Sequence, residues 1–162
     1  MTVLENLMVA PHRQSGERFW NNWLEPRRIV AEERALREKA RGLLAFVGLE
    51  TLANAPARVL SGGQRKLLEF ARVLMADPKL ILLDEPGAGI NPALLATLVE
   101  KISAVRNSGI GFLIIEHNMD LVMSLCDPIL VMASGVLLLE GSAAEVRRDP
   151  RVREAYLGGA AA

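Results

Sequence analysis

The chain has 162 residues, 51% of them hydrophobic, which is enough for one domain with a real core. Basic and acidic residues balance at 19 each, so no bulk positive field points to nucleic acid as a partner. Cys126 is the sole cysteine, which excludes an internal disulfide, and no apolar run approaches the roughly 20 residues of a bilayer-spanning helix.

Residues 1–10 read as a helix capped by Thr2, with Glu5 at the capping-box position and Val3, Leu4, Leu7 and Met8 along one side. No basic stretch precedes these residues, so a signal peptide is not expected. From Pro11 to Pro26 the periodicity breaks, and Phe19, Trp20 and Trp23 stand in an otherwise polar stretch. These aromatics either pack the segment onto its own domain or offer a contact surface to a partner. His12 has no acidic or cysteine companion there and is assigned no role. Ile29–Val47 reads as a long, charged amphipathic helix, with Leu36, Ala40, Leu43, Leu44 and Val47 on one side and Gly48 as its stop.

The next stretch, Leu60-Ser61-Gly62-Gly63-Gln64, opens a helix whose apolar positions are Leu67, Leu68, Phe70, Ala71, Leu74 and Met75. Ser61 and Gln64 form a capping box. An ordinary cap does not need two glycines, each costing about 1 kcal/mol against alanine in a helix interior. Bare glycines admit an anion to the N–H groups at the positive end of the helix dipole. Either an ordinary capped helix or a phosphate-binding helix start fits this stretch alone. Asp77-Pro78 then divides a helical first part, residues 1–78, from residues 79–162, where strands and helices alternate.

Leu80–Leu83 is a short unbroken apolar run, the pattern of a parallel strand buried on both faces, and it ends in Asp84-Glu85-Pro86. In open α/β sheets ligands bind beyond the carboxyl ends of strands, where these two acids fall. Pro92 to about Asn107 reads as a helix, Phe112–Ile115 as a strand, and Asn118 as cap of a helix ending at Leu125. Ser134-Gly135 marks a hairpin between Ile129–Ala133 and Val136–Glu140, and two short helices follow, Ala143–Arg148 and Pro150–Leu157. Cys126 reads as a small buried apolar residue.

A phosphate-suited helix start followed by a buried strand ending in Asp-Glu resembles the ATP-binding subunits of ABC transporters. Leu60–Gln64 is similar to that family's signature motif, Leu80–Glu85 to its Walker B strand and Ile114–Asn118 to its switch-histidine segment. Four stretches resemble the branch that serves branched-chain amino acid importers: 2–7, 85–92, 115–119 and 154–158. The resemblance implies a partial P-loop α/β domain, made of a helical subdomain and the Walker B half of a mostly parallel sheet. It also implies ATP and Mg²⁺ as cofactors, with Asp84 holding the metal, Glu85 activating water and His117 reaching the γ-phosphate. Ser61, Gly62, Gly63 and Gln64 would act in trans, on ATP held by a second ATP-binding subunit. Asn91 occupies the D-loop position where the family usually has aspartate. Further implied partners are transmembrane permease subunits and, indirectly, a periplasmic or extracellular solute-binding protein. The expected location is the cytoplasmic face of the cell membrane.

Parts of the resemblance are missing. The lysines, Lys39, Lys66, Lys79 and Lys101, follow Glu38, Arg65, Pro78 and Glu100, so no Gly-Lys-Ser/Thr phosphate cradle is present. A Q-loop glutamine before residues 1–10 is not found either, and Gln14 lies on the wrong side. The expectation is therefore that this chain corresponds to the C-terminal portion of the family domain and that, by itself, it neither binds nor hydrolyses ATP. Loss of the P-loop strand would leave strands such as Leu80–Leu83 with uncovered apolar faces. Two other readings stay open: an inert truncated domain that only associates with a full-length partner, and a non-transport ABC ATPase.

Overall fold

The computed structural model describes residues 1–11 and 26–157. The aromatic stretch with His12, Gln14, Phe19, Trp20 and Trp23 lies outside the described residues. The chain divides into two compact units, Met1–Leu82 with Ala88–Leu113, and Leu83–Gly87 with Ile114–Ala162.

In the first unit, α1 (Val3–Met8) begins at a full capping box, Thr2 with Glu5, and buries Val3, Leu4 and Leu7. Helix α2 (Pro26–Phe46) buries Ala40 and Leu44, on the side its 3.6-residue periodicity marks. Helix α3 (Gly62–Leu74) starts at Ser61 and buries Gly63, Leu67, Leu68, Phe70, Ala71 and Leu74. Helix α4 (Pro92–Asn107) starts at Asn91 with proline in its first turn and buries Leu98, Ile102 and Val105. These faces form the core of this unit, each fully buried Leu or Ile contributing about 1.5–3 kcal/mol of transfer free energy. The Phe70 ring stacks on Phe112, with centroids 6.4 Å apart. Lys39 ties α2 to the chain after α3, donating to the Met75 carbonyl at 2.9 Å and pairing with Asp77 at 2.6 Å.

Strand β1 (Leu80–Asp84) pairs with β2 (Gly111–Ile115). Gly111 N–H donates to Lys79 O at 3.0 Å, and Glu85 N–H donates to Ile115 O at 2.9 Å. The partners rise together along both strands, so the pair is parallel. The expectation of burial on both faces is not met. Ile81 is 2% exposed while Leu80 and Leu82 are 55% and 68% exposed, and Leu113 of β2 is 52% exposed. A parallel strand alternates faces like any other, and in this structure one apolar face of β1 is open.

In the second unit, α5 (Met119–Leu125) is capped by Asn118, as its sequence predicts. Strands β3 (Ile129–Ala133) and β4 (Val136–Gly141) form an antiparallel hairpin with a bulge between Val131 and Met132. Its turn places Ser134 and Gly135 at φ 49° and 77°, the paired left-handed residues of a type I′ turn. Ile129 and Val131 face a core with Val122, Val146 and Val152, and Cys126 packs half-buried against it. Helix α6 (Ala143–Arg148) begins at a third capping box, Ser142 with Glu145, and α7 (Pro150–Leu157) follows.

Candidate functional site

Within the first unit the start of α3 is built as its sequence requires. The Ser61 side chain accepts from Gln64 N–H at 3.3 Å, and Gln64 Oε1 accepts from Ser61 N–H at 2.9 Å. A helix start has orphan N–H donors, and this box satisfies two of them. The two that remain by helix geometry belong to Gly62 and Gly63. The glycines differ in surroundings. A β-carbon on Gly62 would meet nothing within 4 Å, whereas one on Gly63 would lie 2.6 Å from Leu94 Cδ1 and 3.3 Å from Ile90 Cγ2. Gly62 therefore leaves open space over a bare helix terminus, and Gly63 lets α3 approach the start of α4. The second reason depends on residues far along the chain and has no local sequence signal. Asn91, exposed beside these contacts, caps α4 by accepting from Leu94 N–H at 3.0 Å.

Within the second unit Asp84 and Glu85 leave the end of β1 side by side, both exposed. Glu85 adopts φ 45°, a left-handed conformation uncommon for a residue with a β-carbon. Its N–H stays in the ladder to Ile115 O, so the turn begins at the last hydrogen-bonded position of the strand. Pro86 behind it is buried. His117 leaves the end of β2, and its Nδ1 lies 3.4 Å from Glu85 Oε1, with side chains 74% and 54% exposed. An exposed pair of this kind contributes at most about 1 kcal/mol, so stability does not explain it.

Glu116, which the sequence reading passed over, underlies this pair. Its side chain is 2% exposed. Oε1 accepts from Gly87 N–H at 2.9 Å, and Oε2 accepts from the N–H groups of His117 at 3.0 Å and Asn118 at 3.2 Å. A carboxylate immediately after five strand residues and two before an N-cap is the signal that could have drawn attention to it.

The site thus joins Glu85 with His117 at adjacent strand ends, with Asp84 next in sequence. Ser61–Gln64 and Asn91 belong to the other unit. Among the described residues no cluster of three or more His, Cys, Asp or Glu side chains forms a ready metal cage. An exposed carboxylate at a strand end still fits Mg²⁺, which keeps most of its waters and takes one or two carboxylates alongside substrate phosphates.

The first unit thus carries a helix start with bare glycines, and the second carries strand ends with Asp-Glu and His. The family model for the ABC transporter matches residues 2–88, and that for the branched-chain amino acid ATP-binding cassette transporter matches residues 136–162. The chain belongs to the ABC transporter ATP-binding family and is a partial α/β domain of it. A probable branched-chain amino acid transport ATP-binding protein, LivG, of Archaeoglobus fulgidus is 43% identical, over 98% of this chain and 60% of its own length. The high-affinity branched-chain amino acid transport ATP-binding protein BraF of Pseudomonas aeruginosa is 39% identical, over 98% of this chain and 62% of its own. A crystal structure of a nucleotide-free ATP-binding cassette from an ABC transporter superposes with TM-score 0.77 at 39% identity. That match covers 96% of this chain and 62% of the other. The ADP conformation of an ABC transporter cassette gives TM-score 0.75 at 35% identity, over 98% of this chain and 63% of that one. The chain spans about three fifths of the length of these relatives.

Proposed function

We propose that the chain supplies the signature and hydrolytic parts of an ATP-binding subunit that powers an ABC importer, with branched-chain amino acids as the transported class. The observation that carries the hydrolytic reading is the Glu85–His117 pair, 3.4 Å apart at adjacent parallel strand ends. The solute class rests on the names of the relatives and on the match over residues 136–162.

In this reading Glu85 accepts a proton from the water that attacks the γ-phosphate, the role of a general base. His117 stands beside it, turned toward the same rim, to hold the γ-phosphate and the attacking water in line. Asp84 holds Mg²⁺, which when bound neutralises charge on the phosphates. Ser61, Gly62, Gly63 and Gln64 present a positive helix terminus to the triphosphate held by a second ATP-binding subunit, and Asn91 faces that subunit. Transmembrane permease subunits and a solute-binding protein complete the assembly, and the subunit works at the cytoplasmic face of the membrane. The phosphate cradle with its lysine is contributed by sequence other than these residues. That same lack favours the second reading, a domain that only associates with a complete partner.

The test is Glu85→Gln in a complete cassette carrying a Gly-Lys-Ser/Thr loop. Turnover is expected to fall about 10²–10⁴-fold, the usual contribution of general acid–base catalysis, with Mg-ATP binding retained. Near-normal turnover removes Glu85 from the role of base.

A further inference from the structure

We propose that Glu116 is a positioning residue for the Glu85–His117 pair, a two-oxygen clamp that locks the segments after β1 and β2 into one geometry. The inference rests on the hydrolytic reading above. The carboxylate is aimed inward with its side chain 2% exposed, so it does not meet water or substrate itself. Its two oxygens serve different segments: Oε1 takes the Gly87 N–H, and Oε2 takes those of His117 and Asn118.

The consequences for the pair are geometric. Glu85 and Pro86 lie between two anchors on the end of β2, the bond from Glu85 N–H to Ile115 O and the bond from Gly87 N–H to Glu116. With both ends of this short segment fixed, Glu85 is held at φ 45° and its side chain projects toward His117. On the other side, the bonds to the His117 and Asn118 N–H groups fix the backbone from which the imidazole projects and set Asn118 to cap α5. Only a glutamate fits both demands. Glutamine would turn an NH₂ donor toward one of the N–H donors, since only one of its two terminal atoms accepts. Aspartate is one methylene too short to reach both segments.

The experiment compares Glu116→Gln and Glu116→Asp with the unaltered complete cassette. For Glu116→Gln, kcat is expected to fall roughly tenfold or more, as misplacing a catalytic group does, while KM for Mg-ATP changes less than about twofold. In a His117→Ala background the same change should cost less than in the unaltered cassette, because the part of its effect that passes through His117 is already lost. In the nucleotide-free protein, amide hydrogen exchange at Gly87, or at His117 and Asn118, should quicken in Glu116→Gln, with the α3 amides unchanged. Full multiplication of the Glu116 and His117 losses overturns the proposal, as does unchanged kcat or a loss of kcat matched by a loss of folded protein. If the unaltered cassette hydrolyses no ATP, the hydrolytic reading fails. Unaltered exchange at Gly87, His117 and Asn118 then overturns the clamp as well, whereas faster exchange upholds its geometry.

Discussion

At Gly62 the space a β-carbon would occupy is empty, whereas at Gly63 it is filled by Leu94 and Ile90. Substitution therefore tests the proposed ligand role of Gly62 separately from the packing role of Gly63. Gly63→Ala forces Leu94 aside and should cost about 1–3 kcal/mol, the usual range for overpacking, read as a lower denaturation midpoint. Gly62→Ala should leave the midpoint unchanged or slightly raised, because alanine is the better helix former by up to about 1 kcal/mol. In a complete cassette that same Gly62→Ala should weaken nucleotide-dependent dimerisation. If dimerisation is untouched while Gly63→Ala unfolds the protein, the helix start is only a cap. The glycine pair was legible in sequence as a suited terminus, yet the reason for Gly63 was not. It comes from α4, a separate stretch of chain, and no local pattern records it.

At the level of elements, the helices declare themselves through their first turns. Thr2 with Glu5, Ser61 with Gln64 and Ser142 with Glu145 each form reciprocal caps, and Asn91 and Asn118 cap singly. These are local signals spanning four residues, so helix starts were readable before any tertiary contact was known. Their carboxylates also make the elements acid-sensitive. Backbone hydrogen bonds from Thr2 and Ser142 hold Glu5 and Glu145 below the ordinary carboxylate range. The Arg151 side chain brings Asp149 down from 3.8 to about 2. A carboxyl depressed in the folded state stabilises it above the unfolded pKa, and that contribution is lost as pH falls through the folded value. Asp149 should thus release its contribution between about pH 4 and pH 2. Asp149→Asn is expected to flatten the acid limb of a helicity titration over that window, because the variant already lacks this contribution at pH 7. An unchanged acid limb would show that the Asp149–Arg151 contact forms equally in the unfolded chain.

For the whole molecule, the parallel pair β1 and β2 was readable as apolar runs ending in acidic residues and histidine, and uncovered apolar faces were expected of Leu80–Leu83 without a P-loop strand, but which face stays open was not readable. Apolar composition reports that a strand is suited to burial; which face is covered depends on what packs there. Leu80, Leu82 and Leu113 form an open apolar face in the first unit, and Leu130 and Met132 stand 55% and 65% exposed in the second. Surfaces of this kind favour association. The 162-residue chain alone is therefore expected to elute as an oligomer or to precipitate, and to give no heat of binding with Mg-ATP in calorimetric titration. The missing heat follows from the absence of a Gly-Lys-Ser/Thr loop, since several backbone N–H groups and one lysine supply most of the grip on a triphosphate. A monodisperse monomer binding Mg-ATP at micromolar concentration would contradict both expectations.

The left-handed backbone of Glu85 carries a cost that, on the role proposed for this residue, sets durability against turnover. That conformation is disfavoured by about 1–2 kcal/mol for a residue with a β-carbon, and glycine adopts it freely. Glu85→Gly should then raise the thermal midpoint of a complete cassette, or at least hold it, while abolishing hydrolysis. A clear drop in the midpoint would mean that the backbone at this position is unstrained. A library of variants screened for heat resistance alone would accordingly drift toward replacing this glutamate, gathering sturdier proteins that no longer burn ATP.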